Sequence, residues 1–362
     1  MENRIKNIFN NIEKKIDAVI IKNSNYPYID ENLFYVTGLE KGIFEGAIAV
    51  LHPEGNIDLL VSELEAESAS RSKSDIHIYK NKEEMDNIIK KLSLSDKNIG
   101  LNYNCITYND YHNLKNMIPT SDFIDISKEL IKTRLVKDQL ELKLIKKACK
   151  ISDSIMNKIP EMLHEGMYEY EIAAEIDYLM QKLGADKPAF ETISSFNKNT
   201  SEPHYSHGNT RLKKGDFALF DFGACFRKYN SDITRTFIFG KASKNQKEMY
   251  ETVLEAQKIG FDIIKADVAA NKVHNAVSSY IDNTKFKGRF IHSTGHSLGL
   301  AVHDGARLGS ENNMKLKENM IFTVEPGIYI PGIGGIRIED DIQVKKEGIE
   351  LLTDSSRELL EI

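Results

Sequence analysis

The chain has 362 residues, 41% of them hydrophobic, and its 48 basic and 54 acidic residues leave a formal net charge of −6. This length suffices for two domains with large buried cores, and charges of both signs spread without a basic block argue against a nucleic-acid partner. Three widely spaced cysteines, Cys105, Cys149 and Cys225, suggest neither a zinc ribbon nor a redox pair and fit a reducing cytoplasm, and no run approaches the roughly eighteen apolar residues of a membrane span.

The opening MENRIKNIFNNIEKK is polar, helical in character and without a secretory apolar core. From Asp17 to about Asp125, short apolar runs alternate with charged helical stretches: DAVII, the pair GAIAVL and NIDLLV around the turn HPEG, the helical KEEMDNIIKKL, then NIGLN. Such alternation predicts an α/β N-terminal domain, placed at residues 1–130. A second domain, 131–362, opens near SKELIKTRLVKDQ, where Asp138 and Glu141 make an N-cap and N3 pair ahead of Leu140, Leu144, Ile145, Ala148, Ile151 and Ile155. A further helix is expected from about Tyr168 to Leu183, stopping at Gly184. Then the period shortens: FALFDFGAC, NSDITRTFIF, NMIFTVEPGIYI and GGIRIEDDIQV read as strands, with helical KNQKEMYETVLEAQKIGFDIIK and KVHNAVSSYID between them.

The stretch HSTGHSLGLAVHD holds three of the ten histidines, His292, His296 and His303. Helical spacing would align them on one face, but Gly295 and Gly299 each cost about 1 kcal/mol inside a helix, and no general-base Glu follows His292. A glycine-relieved loop or strand is expected instead. Acids inside apolar strands are the second anomaly, because an unpartnered buried carboxylate costs several kcal/mol. A hairpin turning around Phe226 and Arg227 would set Asp221 directly opposite Asp232. Glu325 precedes the turn residues Pro326 and Gly327, and alternation in GIRIEDD puts Arg337, Glu339 and Asp341 on one face. Asp221, Asp232, Glu325 and Glu339 with His296 balance two divalent cations, and an oxygen-rich set with one imidazole suits manganese, iron or cobalt in a hydrolytic centre.

Taken together, LFDFGACFRKYNSDITRT, HSTGHSLGLAVHD, TVEPGIYI and GIRIEDD resemble the metal-site motifs of the pita-bread metallopeptidases, in particular the Xaa-Pro dipeptidase (prolidase) and aminopeptidase P group, and NLFYVTGLE resembles a motif of that group's N-terminal domain. The resemblance implies a creatinase-like α/β N-terminal domain before an α+β pita-bread domain. It makes Asp221 a ligand of one metal, Asp232 and Glu339 bridges, and His296 and Glu325 ligands of the other, with Glu325 also moving a proton. It makes His204 and His303 active-site histidines and His292 and Arg337 pocket residues; His207 has no counterpart and reads as structural or peripheral. Arg337 reads equally as the partner of a substrate carboxylate or as a structural ion pair. The implied substrate is a small peptide with proline at the second position, the implied cofactors are two divalent ions, manganese or cobalt ahead of zinc or iron, and the implied assembly is a cytoplasmic homodimer. Dipeptidase is the leading expectation and aminopeptidase P on longer peptides the alternative. A metal-free amidinohydrolase of the creatinase type or a non-catalytic pita-bread binding protein would be expected to have lost ligand positions that all stand here.

Overall fold

The β-branched run AVIIK forms strand β1 (Ala18–Lys22), the buried centre of a six-stranded sheet. A computed structural model describes residues 1–362, which divide into two units, Met1–Arg134 and Leu135–Ile362. In the first unit, β2 (Ile48–Leu51), β3 (Ile57–Ser62), β4 (Asp75–Tyr79), β5 (Asn98–Leu101) and β6 (Asp122–Asp125) complete the sheet in the order β4-β3-β2-β1-β5-β6. The HPEG turn joins β2 and β3 as an antiparallel pair, and β5 and β6 add in parallel. Helices Lys82–Lys91 and Tyr108–Met117 start where the side chains of Asn81 and Thr107 accept backbone N–H bonds from Glu84 and Asp110. Ile89 and Leu114 from these helices, with Ile118 just past the second, join Ile20, Val50 and Ile99 of the sheet in one core. This is the α/β arrangement that the sequence alternation predicts.

In the second unit, helix Gln139–Met156 opens with a complete capping box between Asp138 and Glu141. Helix Glu169–Lys182 ends one residue before Leu183, and Gly184 follows at φ 97°. The strands are β7 (Lys187–Pro188), β8 (Ile193–Phe196), β9 (Phe217–Phe222), β10 (Ala224–Phe226), β11 (Tyr229–Asn230), β12 (Ile233–Ile238), β13 (Gly295–His296), β14 (Arg307–Leu308), β15 (Ile321–Val324), β16 (Gly327–Ile330), β17 (Gly334–Arg337), β18 (Asp340–Val344) and β19 (Ile349–Leu351). They form small sheets, chiefly β12-β9-β8, β15-β18-β19 and the β16-β17 hairpin. Phe220 and Phe222 share a core with Ile155, Ile172 and Ile176 of the first two helices, while Ile336 and Ile338 pack with Met249, Val253 and Val277 of helices Lys244–Ile263 and Ala270–Asp282. One face of each strand is therefore spent on helices, and the period of two delivers Asp221, Arg337 and Glu339 to the other. No helix is long and apolar enough to cross a membrane.

One register differs from expectation. Asp221 lies opposite Thr234, not Asp232, because the hairpin turns at Arg227 and Lys228, both at positive φ (49° and 72°). Two consecutive left-handed residues make the tight turn that matches strand twist. The shift by one position of the turn moves the pairing by two residues, so the acids stay on one face but become diagonal neighbours, less repulsive than a direct pair.

Candidate metal centre and active site

Each acid of the centre sits at or beside a strand end. Asp221 is on β9, Asp232 immediately precedes β12, Glu325 follows β15, and Glu339 lies between β17 and β18, where its N–H donates to Thr234 O at 3.1 Å. His296 arrives on β13, a two-residue strand held by Thr323 Oγ1 at 3.1 Å from its N–H. Gly295 is required there: a Cβ would stand 1.9 Å from Thr323 O. At Gly299 a Cβ would meet Asp304 Oδ2 at 2.3 Å. The two glycines thus admit a neighbouring strand and a buried carboxylate.

Asp221, Asp232, His296, Glu325 and Glu339 line one cavity of about 930 Å3 together with His204, His292, His303 and Arg337. Ligand atoms of Asp232, His296 and Glu339 lie within 4.8 Å of one another. His296 Nε2 is 3.6 Å from Asp232 Oδ2 and 3.5 Å from Glu325 Oε1, while its Nδ1 faces Ser297 O at 3.3 Å. A carbonyl only accepts, so Nδ1 carries the proton and the Nε2 lone pair points at the carboxylates. Burial and the nearby His303 push the His296 pKa down to about 3, keeping the ring neutral.

The carboxylates are placed against their own charge. Burial first, and then Glu339 and Asp221, push Asp232 well above the usual carboxylate range; burial with Glu325 and Asp221 does the same to Glu339. Burial raises Glu325 to about 7, against the opposing pull of Arg337. Asp221 Oδ1 and Asp232 Oδ1 are buried without any hydrogen-bond partner. Orphaned buried carboxylate oxygens facing an imidazole lone pair fit divalent cations, which would supply the missing charge and the missing partners together.

Around this centre runs a second layer that the sequence does not announce. Arg337 is 3% exposed and its donors are committed: Nη2 to Asp221 Oδ2 at 2.5 Å, Nη1 to the Tyr329 hydroxyl at 2.8 Å, and Nε to Thr234 Oγ1 at 3.1 Å. Of its two readings, the structure therefore has the ion pair. His292 Nδ1 lies 2.8 Å from Ser293 O and its Nε2 2.9 Å from the Tyr329 hydroxyl. The carbonyl fixes the proton on Nδ1, so Tyr329 donates to Nε2 and receives from Arg337, giving a directed chain from Asp221 to His292. Below the centre, Asp341 Oδ2 accepts the Asp232 N–H at 2.9 Å and the Cys149 thiol at 3.3 Å. His303 stacks edge-on against His296, ring centroids 4.2 Å apart, and burial followed by Arg307 lowers its pKa. His207 is held apart from the cavity lining, with Nδ1 at 3.1 Å from Thr192 O.

Arg307 is the residue that motif reading misses. It lines the same cavity, is exposed, and its side chain makes no hydrogen bond or ion pair. It follows His303 in the same loop and pairs with His296 across β13 and β14, a position that alternation from His296 cannot predict because the intervening loop is irregular.

Comparison with known proteins identifies the family. Residues 143–346 match the model of metallopeptidase family M24, and residues 4–136 match that of the creatinase/prolidase N-terminal domain. An Xaa-Pro dipeptidase from Pyrococcus horikoshii is 36% identical over 361 residues, 99% of each chain. Among solved structures, the prolidase from Pyrococcus horikoshii OT3 is similar with TM-score 0.90 at 35% identity, covering 99% of this chain and 100% of that one. An X-Pro aminopeptidase from Thermotoga maritima gives TM-score 0.89 at 31% identity over 96% of this chain and 98% of that one. The chain belongs to metallopeptidase family M24, the pita-bread hydrolases that work with divalent metal ions, and carries the creatinase/prolidase N-terminal domain ahead of its catalytic one.

Proposed function

We propose that this protein is an Xaa-Pro dipeptidase with two divalent ions, manganese or cobalt ahead of zinc or iron, held by Asp221, Asp232, His296, Glu325 and Glu339. The observation that carries the dipeptide reading is Arg307, an unpaired guanidinium on the wall of the cavity that holds the acids. A dipeptide buries its own C-terminal carboxylate beside the scissile bond, and that charge needs a fixed cation. Arg337, already spent on Asp221, is replaced by Arg307 in this role.

The X-Pro amide is tertiary and lacks an N–H, so it cannot be gripped as an ordinary backbone amide. Divalent cations at such a centre polarise the scissile carbonyl and make bound water acidic near neutral pH. Glu325, which the cations would keep ionised, would take the proton of the attacking water and pass it to the proline nitrogen as the bond breaks. His303 and His204 offer imidazole N–H donors to the developing oxyanion. Arg337, fixed by Tyr329, keeps Asp221 oriented by occupying Oδ2, and the unpartnered Oδ1 would be left to hold a cation. His292 acts through Tyr329 and is a positioning residue.

We extend the reading to a homodimer in the cytoplasm, supported by the resemblance to the prolidase group and by three cysteines without disulfides. Sedimentation equilibrium tests the dimer. The activity is tested with Ala-Pro, Ala-Pro-amide and Ala-Pro-Ala after loading with manganese, cobalt or zinc. Ala-Pro should be cut at least ~10-fold more efficiently than either extended form, about 1.4 kcal/mol of transition-state binding. Equal cleavage of the tripeptide would replace the dipeptidase reading by aminopeptidase P, with the metal centre unchanged.

A further inference from the structure

A second cavity, of about 890 Å3, lies in the catalytic unit and shares no lining residue with the acid-lined one. Its wall is helix Gln139–Met156, where Lys143, Lys146, Lys147 and Lys150 recur at i, i+3, i+4 and i+7 and so share a face. Arg227 from the β10–β11 turn and Lys345 beyond β18 bring the lining cations to six, against one lining carboxylate, Glu318. Lys146 and Lys345 are both engaged by Glu350. Lys143, Lys147 and Lys150 are exposed and make no ion pair or side-chain hydrogen bond. Like charges at these spacings repel, and an ordinary solvated helix face relieves that repulsion with interspersed acids. Here that relief reaches Lys146 alone of the four, in a protein whose net charge is −6.

An independent observation comes from Gln343 on β18, which lines the cavity and is 2% exposed. Its Nε2 donates to Asn319 Oδ1 at 2.7 Å, and its Oε1 is buried with no partner. A buried acceptor left unmet is rare in folded proteins and asks for a donor from outside. The half-buried Phe226 ring adds apolar surface to the same lining. The volume is that of a small-molecule site.

We propose that this cavity binds a small anion carrying two or more phosphoryl groups, its charge met by the lysine face and a hydroxyl or amine donor met by Gln343. Inorganic polyphosphate and a nucleoside polyphosphate share that charge chemistry; only the nucleotide brings the donor and a flat ring for Phe226. The test is calorimetric titration of the metal-loaded protein with the magnesium complexes of ATP and of inorganic triphosphate, and with adenosine, at 0.15 M salt. Saturable binding of ATP and triphosphate is expected, weakening with added salt. Tighter binding of ATP identifies the nucleotide as the source, and equal binding identifies free polyphosphate. The triple variant Lys143→Ala, Lys147→Ala, Lys150→Ala should weaken both by about tenfold or more and leave Ala-Pro hydrolysis unchanged. The single charge reversal Lys147→Glu should weaken both in the same direction. No binding of either phosphate, binding untouched by both variants, or adenosine binding as tightly as ATP would each overturn the proposal.

Discussion

Removing the metals should make the catalytic unit lose stability as pH rises above 6.5, and the structure sets the sign and the size. In the metal-free fold burial and mutual repulsion raise Asp232, Glu339 and Glu325 above the range near pH 4 in which the unfolded chain releases their protons, Glu325 to about 7. Their folded-state pKa values are raised, so the folded state binds more protons, and the stability they confer is full below the unfolded values and lost as pH rises through the folded ones. For Glu325 the window runs from the model value 4.5 to about 7, worth about 3 kcal/mol in all. His292 and His296 oppose this at lower pH. Burial depresses both to about 3, so their stabilisation is full above the unfolded value of 6.5 and lost as pH falls toward 3. About one pH unit above 6.5 the histidines are neutral in both states and only the carboxyls move. Between pH 6.5 and 8.5 the metal-free protein should therefore lose stability as the raised carboxyls give up their protons. Each kcal/mol lost lowers its melting midpoint by roughly 2–4 °C for a unit of this size. The manganese-loaded protein, with the same carboxylates ionised throughout, should change much less. The assay is thermal unfolding of chelator-treated and metal-loaded protein across that pH range. A metal-free protein as stable at pH 8.5 as at 6.5 would refute the placement of the acids.

The remaining outcomes concern single side chains. Arg307→Ala should lower efficiency on Ala-Pro by about tenfold or more and shrink its advantage over Ala-Pro-Ala, read from kcat/KM on both. Arg337→Met should reduce hydrolysis of both lengths alike, because it frees Asp221 and leaves Tyr329 without its donor. His296→Ala should lower metal occupancy by elemental analysis, whereas His303→Ala and His204→Ala should keep the metals and lose on the order of 100-fold in kcat; equal metal loss in all three would remove the distinction. Gly295→Ala drives a Cβ to 1.9 Å from Thr323 O, so the His296 strand must shift, and both melting midpoint and metal occupancy should fall.

Much of this protein is written locally. The capping box at Asp138 and Glu141, the turn at HPEG and the two-residue alternation that separates Phe220 and Phe222 from Asp221 depend on neighbours within a few positions, and the structure realises each of them. The expected acids and histidines are legible because their chemistry conflicts with the apolar strands around them. Other features depend on partners far away in the chain. The Asp221 register turned on two left-handed residues, Arg227 and Lys228, neither of them a glycine that would announce the turn. Arg337 could be read as facing a substrate until Asp221, 116 residues earlier, was found against it. Arg307 has the same chemistry and stands in the same cavity, yet no carboxylate reaches it. Sequence specifies which groups can carry charge and which face of a strand they leave by; only the folded chain decides which opposite charge arrives within hydrogen-bonding distance, because desolvation makes each such pairing exclusive and leaves an unmatched guanidinium free for a ligand.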